Sequence, residues 1–566
     1  MIIVTLNSYM IASFFKDRKW EKMKKCLISL MIILIMISPP FMVASNSSTC
    51  IKQPLKSTEQ ISSKEVQQNH VWPMEKNDAQ RTGRSMYDSS QNKGGEKWKF
   101  FVEYECLEGV AIDKDDIVYV AAPLDGLYAI YPNGTVKWKY DFEGFDFEYQ
   151  TPTIAPDGTI YIATSNDHVY AFYPNGTLKW VLNIGGNFFT TPAVDSQGTI
   201  YVSTQEGFMY AITTKGTIQW ERNLSDWASD VALDAEENIY FYGAYNNSLT
   251  CLNPDGSIKW VHDNLVNILS GPVIGDDGSI YLVGPVGYLY AFYPNGTEKW
   301  EVDYGVWLGS PSIAFDGTII CAGYIYVTAL NPKDGSIVWR HKYGEECYGD
   351  VSAAAIGRDG TIYFAYDTYS DSLAFVCALN PDGSFKWETH LTADEYQRDY
   401  VFILSDPAIG SDGTVYITST FGPCPPTIFD IGVIHAIGID NASIPEPPSI
   451  NGSPMSRLFK RCSYTITCSV PAGEDVYYLI DWDDNPENVI RDNNWIGPYP
   501  SGQEIKVNHV WQNWGNHTIK VRVKNSDNVC SNWVTLEVKQ PSYLFFERLF
   551  ERFPNAFPIL RYLLGF

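Results

Sequence analysis

The sequence predicts an all-β chain: an eight-bladed β-propeller of four-stranded blades, followed by an immunoglobulin-like β-sandwich. Three observations predict it. A strand–turn–strand unit recurs eight times, at a spacing of about 40 residues, the length of one blade. A second unit, ending in Trp, alternates with the first. Past a Pro-rich stretch from Ile444 the repeat stops, while strand-like alternation continues. The composition agrees, since 37 Tyr, 28 Phe and 17 Trp beside 43 Gly and 32 Pro suit many short strands joined by tight turns.

The first unit reads TPTIAPDGTIYIAT from Thr151 and TPAVDSQGTIYVST from Thr191, with related copies from Ala111, Ala232, Val273, Ser312, Ala355 and Ala408. The second unit runs YAIYPNGTVKW to Trp138 and YAFYPNGTLKW to Trp180. It then recurs to Trp220, Trp260, Trp300, Trp339 and Trp387. Together they encode four strands, with Asp-Gly or Asn-Gly turns that need positive φ. The last copy, IHAIGID from Ile434, has no Trp after it, whereas Lys97 and Trp98 stand alone upstream. Residues 97–102 are therefore expected to supply the missing outer strand and close the ring, removing an open edge. Trp98, Trp138, Trp180, Trp220, Trp260, Trp300, Trp339 and Trp387 are expected as packing anchors between blades.

The motif GTIYV…YAxxxxGTxKW resembles the pyrroloquinoline-quinone-type (PQQ-like) propeller repeat. The leader WPMEKNDAQRTGRS, Trp72 to Ser85, is similar to the entry segment of secreted members. The likeness covers roughly residues 72–440 and implies the fold. The family holds both quinone-dependent dehydrogenases and scaffolds, such as the propeller lipoprotein of outer-membrane protein assembly, so function must be argued from a site. The alcohol-oxidising enzymes often carry a vicinal disulfide, and they have a calcium site beside a catalytic Asp. This chain has no Cys-Cys pair, no matching calcium triad and no CxxCH haem site. The resemblance thus points to the scaffold branch, with no cofactor. PQQ or calcium chemistry is the alternative.

One set of connections is uniformly tight and the other varies, and long loops on a rigid scaffold are where function is expected. Those loops carry Phe145, Phe147, Tyr149, Trp227, Trp307, Tyr348, Tyr396 and Tyr400 with Glu148, Glu345 and Asp394. Aromatics stack on sugars or anchor peptides, and carboxylates accept hydrogen bonds. These residues either form a binding patch or plug the central channel. Nine Asn-x-Ser/Thr sequons are present. Those at Asn133, Asn175 and Asn295 sit in repeat turns; Asn46, Asn223, Asn246, Asn441, Asn451 and Asn516 do not.

Beyond the linker, HTIKVRV and VTLEV alternate as strands. Tyr478, Asp481, Trp482, Asp484, His509, Trp511, Gly515 and Val521 give this region a resemblance to polycystic-kidney-disease-type (PKD) modules, which serve as spacers or adhesion units. Asp481, Asp483 and Asn485 have calcium-loop spacing, but Pro486 stands where an EF-hand loop wants Gly. The tail from Tyr543 is apolar and aromatic, with charges from Glu547 to Arg552 and two prolines that argue against a spanning helix. It is expected at a membrane surface, on a sorting factor or against the preceding domain.

Met23, Lys24 and Lys25, an apolar run from Cys26 to Ile37, then Ala44 and Ser45 read as an export signal, with an uncleaved anchor as the alternative. Cleavage after residue 45 would remove six Lys/Arg from 41 and two Asp/Glu from 66, leaving 35 and 64, a net of −29. Such a surface repels nucleic acid and favours solubility. The cysteines lack zinc-type spacing. Pairing of Cys462 or Cys468 with Cys530 is one disulfide option in an exported chain. The expected organisation is a signal segment 1–45, a leader 46–94, a propeller 95–441, a linker 442–455, a sandwich 456–540 and a tail 541–566. The expected function is a secreted or cell-surface binding scaffold that meets an extracellular protein or glycan and no nucleic acid. A quinone-dependent oxidoreductase and a structural cell-surface spacer are the alternatives.

Overall fold

The computed structural model describes residues 70–539, except 103–108, 123–124, 143–150, 166, 187–189, 225, 227, 266, 344–350, 369–372, 393–399, 404, 423–430, 440–444, 455–460, 471–472, 483–494, 512–515, 527 and 532. The repeat region is a β-propeller. One blade shows the pattern: Thr153–Ile154, Ile160–Thr164, His168–Phe172 and Leu178–Asn183 form an antiparallel sheet in chain order. Seven such runs follow one another, from Ala111–Ile112 to Phe385–Leu391. Ile160, Tyr161 and Ile162 are all fully buried, so this strand is apolar on both faces. Neighbouring blades cover both sides of a sheet, which removes the usual polar alternation.

A further sheet joins the end of the repeat region to its beginning. Ala408–Ile409, Val415–Gly422 and Ile431–Ile439 pair in order, and Gly95–Val102 adds to the last of them, with Phe100 opposite Ile434. An extra strand, Tyr400–Ile403, also pairs with Val415–Gly422.

The outer strands carry a regular bulge. In the blade above, Ala171 pairs Trp180 and Phe172 pairs Leu178, which leaves Lys179 as the extra residue. A bulge turns a side chain away from the ladder, and the Lys179 ammonium meets Thr159 at 2.7 Å and Asp157 at 3.3 Å across its own blade. Lys299 repeats this with Ser279 and Asp277.

The Trp side chains join one blade to the next. Each indole N–H donates to a carbonyl in the following blade's outer turn: Trp98 to Pro132, Trp138 to Pro174, Trp180 to Thr214, Trp220 to Pro254, Trp260 to Pro294, Trp300 to Pro332 and Trp339 to Pro381. Trp387 donates instead to Asn92, just before the strand Gly95–Val102, at 2.8 Å. Seven of these rings are half-buried and Trp387 is fully buried. The turns need glycine for contact as well as for conformation. A Cβ on Gly176, at φ +85°, would lie 2.6 Å from the Trp138 ring, and one on Gly94 2.7 Å from Trp387. Behind each Trp except Trp339 lies a Tyr of the same blade, as in Tyr161 with Trp180. Trp98 packs on Tyr416 of the closing sheet at 5.7 Å. The sixth blade has Ile320 at the equivalent position.

The C-terminal region forms two sets of strands around Tyr464, Tyr478, Trp511, Ile519, Val521 and Val523. Ser449–Gly452, Arg461–Thr467 and Ile505–Val510 make one sheet. Val476–Asp481, Ile496–Tyr499, His517–Asn525 and Val534–Val538 belong to the other. That second sheet is continuous with the seventh blade: Val529–Cys530 pairs both His517–Asn525 and the blade's outer strand, with Cys530 opposite Glu388. Cys462, Cys468 and Cys530 are free thiols, so the structure contains neither of the disulfide pairings considered for them. Among the described residues no helix is long and apolar enough to cross a membrane.

Candidate functional site at the filled channel and the loop rim

The segment from His70 to Asn92 runs inside the ring. Its backbone carbonyls accept from the N–H of the second residue of six inner strands: Trp72 from Ile112, Pro73 from Ile154, Ala79 from Leu233, Gln80 from Ile274, Thr82 from Ile313 and Gly83 from Ile356. These inner strands are two residues long and lie at a sheet edge, so their donors would be unpaired without the segment. To pass from blade to blade the chain coils tightly. Lys76, Asn77, Arg81 and Gly83 take left-handed φ of 55°, 73°, 62° and 70°. Asp78 holds the coil by accepting from the Thr82 N–H at 2.8 Å and from the Thr82 hydroxyl. Both ends leave at the rim of the tight turns. His70 bonds the Ala155 carbonyl, Ser89 bonds Asp359, and Asn92 bonds the Gly413 carbonyl.

The coil brings buried charge into the channel. Arg81, its side chain 3% exposed, donates to Glu75 at 2.7 Å and to Asp230 at 3.2 Å. Glu75 also accepts from the Thr191 hydroxyl at 2.8 Å. Burial alone would raise the Glu75 carboxyl, but Arg81 and Lys76 hold it below its ordinary value. Burial lifts Asp230 to about 6, Arg81 pulling it down and Glu75 pushing it up. Burial also drops the Lys76 ammonium to about 8 against the pull of Asp406. Lys76 donates to the Ser310 hydroxyl and, at 3.2 Å, to the Pro311 carbonyl. Asp406 is raised by burial and accepts from the Ala353 N–H at 2.7 Å.

The sign of the pH dependence follows. The folded Asp230 carboxyl keeps its proton to a higher pH than the unfolded one, so the contribution of this group to stability falls as pH rises from about 4 to about 6. Asp230→Asn removes that limb. In urea denaturation the stability of the parent relative to the variant should fall by of order 1–3 kcal/mol across that window. A difference that does not change with pH would exclude an uptake of protons at Asp230.

Above the coil, Trp72, Glu75, Lys76, Gly109, Val110, Thr151, Ser405 and Asp406 line a cavity of about 100 Å³. Gly109, Thr151 and Ser405 lie just before inner strands, on the rim where the long connections leave. Of the loop residues singled out in the sequence, Trp307 is described and half-exposed at 51%. Tyr400 begins the strand Tyr400–Ile403. Phe145, Phe147, Tyr149, Glu148, Trp227, Glu345, Tyr348, Asp394 and Tyr396 lie outside the described residues. Asp481 ends a strand with the Lys520 ammonium 3.7 Å away, and Asp483 and Asn485 also lie outside. Among the described residues no group of three or more His, Cys, Asp or Glu could hold a metal ion.

Loop aromatics were one expected channel filler; among the described residues it is the leader that fills the channel. The available signal was a Trp, a Met and paired charges standing outside every repeat.

Residues 85–186, 165–270 and 246–424 match the family model described as outer membrane protein assembly factor BamB. No curated protein matches the chain. Among solved structures, BamB from Moraxella catarrhalis is 15% identical and covers 60% of this chain and 99% of its own, with a TM-score of 0.44. The Dos1 propeller is 10% identical over 62% of this chain and 97% of its own, at 0.46. The PKD domain of an M14-like peptidase from a Thermoplasmatales archaeon is 31% identical over 18% of this chain and 99% of its own, at 0.16.

Proposed function

Since the chain belongs to the family of the outer membrane protein assembly factor BamB, we propose that it is a non-catalytic binding scaffold of the cell envelope whose loop face engages another protein. The observation that carries this reading is the filled channel. Ligand pockets usually measure roughly 300–1,000 Å³, whereas the cavity above the coil is about 100 Å³. A fused three-ring quinone does not fit that space, and no step through one is derived. What remains is a rigid ring with varied loops on one rim. The family's name supports a protein as partner, and the exposed Trp307 supports the loop rim as the place.

The finer organisation belongs to the same reading. Eight blades are supported by seven Trp joints of one kind and an eighth, in which Trp387 bonds the segment that opens the closing strand. The domain limits are those read from the repeat, with a PKD-type sandwich after the linker and residues 1–45 as the export signal. Two sheets around one core support the sandwich.

An array of proteins and glycans probed with the parent and a Trp307→Ala, Tyr396→Ala double variant tests this. Loss of a central aromatic anchor costs about 2 kcal/mol, a ~30-fold weakening. A protein ligand weakened to that extent, with the melting temperature unchanged, is the expected result. Unchanged binding of every ligand would move the site elsewhere, and capture of glycans alone would overturn the protein partner.

A further inference from the structure

We infer that Asn133, Asn175 and Asn295 carry N-linked saccharides, so that the rim opposite the loop face is glycosylated. The three occupy the same position of the same outer turn. In each, Asn Oδ1 accepts from the backbone N–H two residues on at 3.1 Å and from the Thr hydroxyl at 2.7 Å. Nδ2 makes no hydrogen bond among the described residues, and all three residues are exposed. The turn itself does not require asparagine. Asp255, Asp334 and Asp382 stand at that position in other blades and accept the same pair of bonds, at 2.9–3.0 Å and 2.6–2.7 Å. Only Oδ1 is used, so an amide nitrogen is structurally spare wherever Asn replaces Asp.

The replacement is not independent of its neighbour. Every turn with Asn has Thr two residues later and every turn with Asp has Ser: Asn133 with Thr135, Asn175 with Thr177 and Asn295 with Thr297, against Asp255 with Ser257, Asp334 with Ser336 and Asp382 with Ser384. Asn with Thr completes the acceptor sequon; Asp with Ser cannot. The following Gly134, Gly176 and Gly296 lie against Trp98, Trp138 and Trp260, which fixes where each saccharide would emerge. In a four-stranded meander the first and third turns share one end, so these sites point away from the long connections and leave them accessible.

In the reaction, Nδ2 bonds to the anomeric carbon of a saccharide carried on a polyprenyl diphosphate. The anomeric C–O bond breaks, its electron pair leaves on the carrier phosphate, and an amide proton passes to solvent. No change of oxidation state occurs.

The inference rests on the export reading, and the test separates the two. Protein purified from its native host is fractionated between envelope and cell interior and mapped by peptide mass spectrometry. Peptides bearing Asn133, Asn175 and Asn295 are expected to carry saccharide mass. A triple Asn→Asp variant should lose that mass with no change in melting temperature, because Asp already serves the turn in three blades. All three peptides at unmodified mass overturn the proposal; finding that protein in the envelope leaves export standing, and finding it in the interior removes both.

Discussion

A chain lacking residues 72–104 is expected to lose the cooperative fold of the ring. The deletion removes the channel segment and the closing strand together. The inner-strand N–H groups of Ile112, Ile154, Leu233, Ile274, Ile313 and Ile356 lose their acceptors, each worth net about 0.5–1.5 kcal/mol. The strand Ile431–Ile439 loses its neighbour and becomes a free edge. Trp387, fully buried, loses both its carbonyl acceptor and the glycine face it covers. The buried side chains of Trp72 and Met74 are removed as well, and the sum is comparable to the 5–15 kcal/mol that holds a typical domain folded. A milder variant, Gly83→Val, leaves the strand in place. Its Cβ would lie 2.8 Å from the Ala354 carbonyl at φ +70°, so a cost of at least about 1–2 kcal/mol is expected from the left-handed backbone alone. Thermal denaturation followed by circular dichroism reads both. A deletion variant that melts cooperatively at the parent's temperature would show that the ring closes without this segment.

Arg522→Met is expected to destabilise the chain by about 3–5 kcal/mol, the usual cost of leaving one member of a buried ion pair alone. Arg522 donates to Glu388, and the two side chains are only 3% and 6% exposed. The Tyr366 hydroxyl donates to the other Glu388 oxygen at 3.0 Å. The guanidinium also lies 4.9 Å over Phe375 and 5.2 Å over Trp533. Beside it, burial and then the charges of Lys524 and Arg522 hold His390 well below its ordinary value. The pair sits where the seventh blade continues into the C-terminal sheet. A double variant, Glu388→Leu with Arg522→Met, should recover most of the loss in urea denaturation, because no lone charge remains. A single variant as stable as the parent would mean that water reaches this joint.

The parts that were legible in the sequence are those where side-chain identity is itself the mechanism. Asp-Gly and Asn-Gly turns, the Trp that needs a glycine opposite, and the unpaired Lys97–Trp98 each name a strand or a joint. The channel segment was not legible in that way, because its bonds to the blades come from backbone carbonyls of Trp72, Ala79, Gln80 and Thr82, which any residue supplies. The two-residue strand Val529–Cys530 is too short for periodicity to mark, although it joins two sheets. The lysine before six of the eight Trp residues reads as a surface charge; the bulge that turns Lys179 onto Asp157 depends on strand pairing. The loop residues are a different matter, since composition names aromatics and acids without placing them together.

The most direct test of a filled, non-catalytic ring is titration of the purified protein with pyrroloquinoline quinone and calcium, followed by absorbance and melting temperature, with alcohols and sugars offered beside an electron-accepting dye. The leader-filled channel predicts no saturable absorbance change, no rise in melting temperature and dye reduction no faster than the blank. Saturable binding with turnover that a chelator abolishes would contradict it.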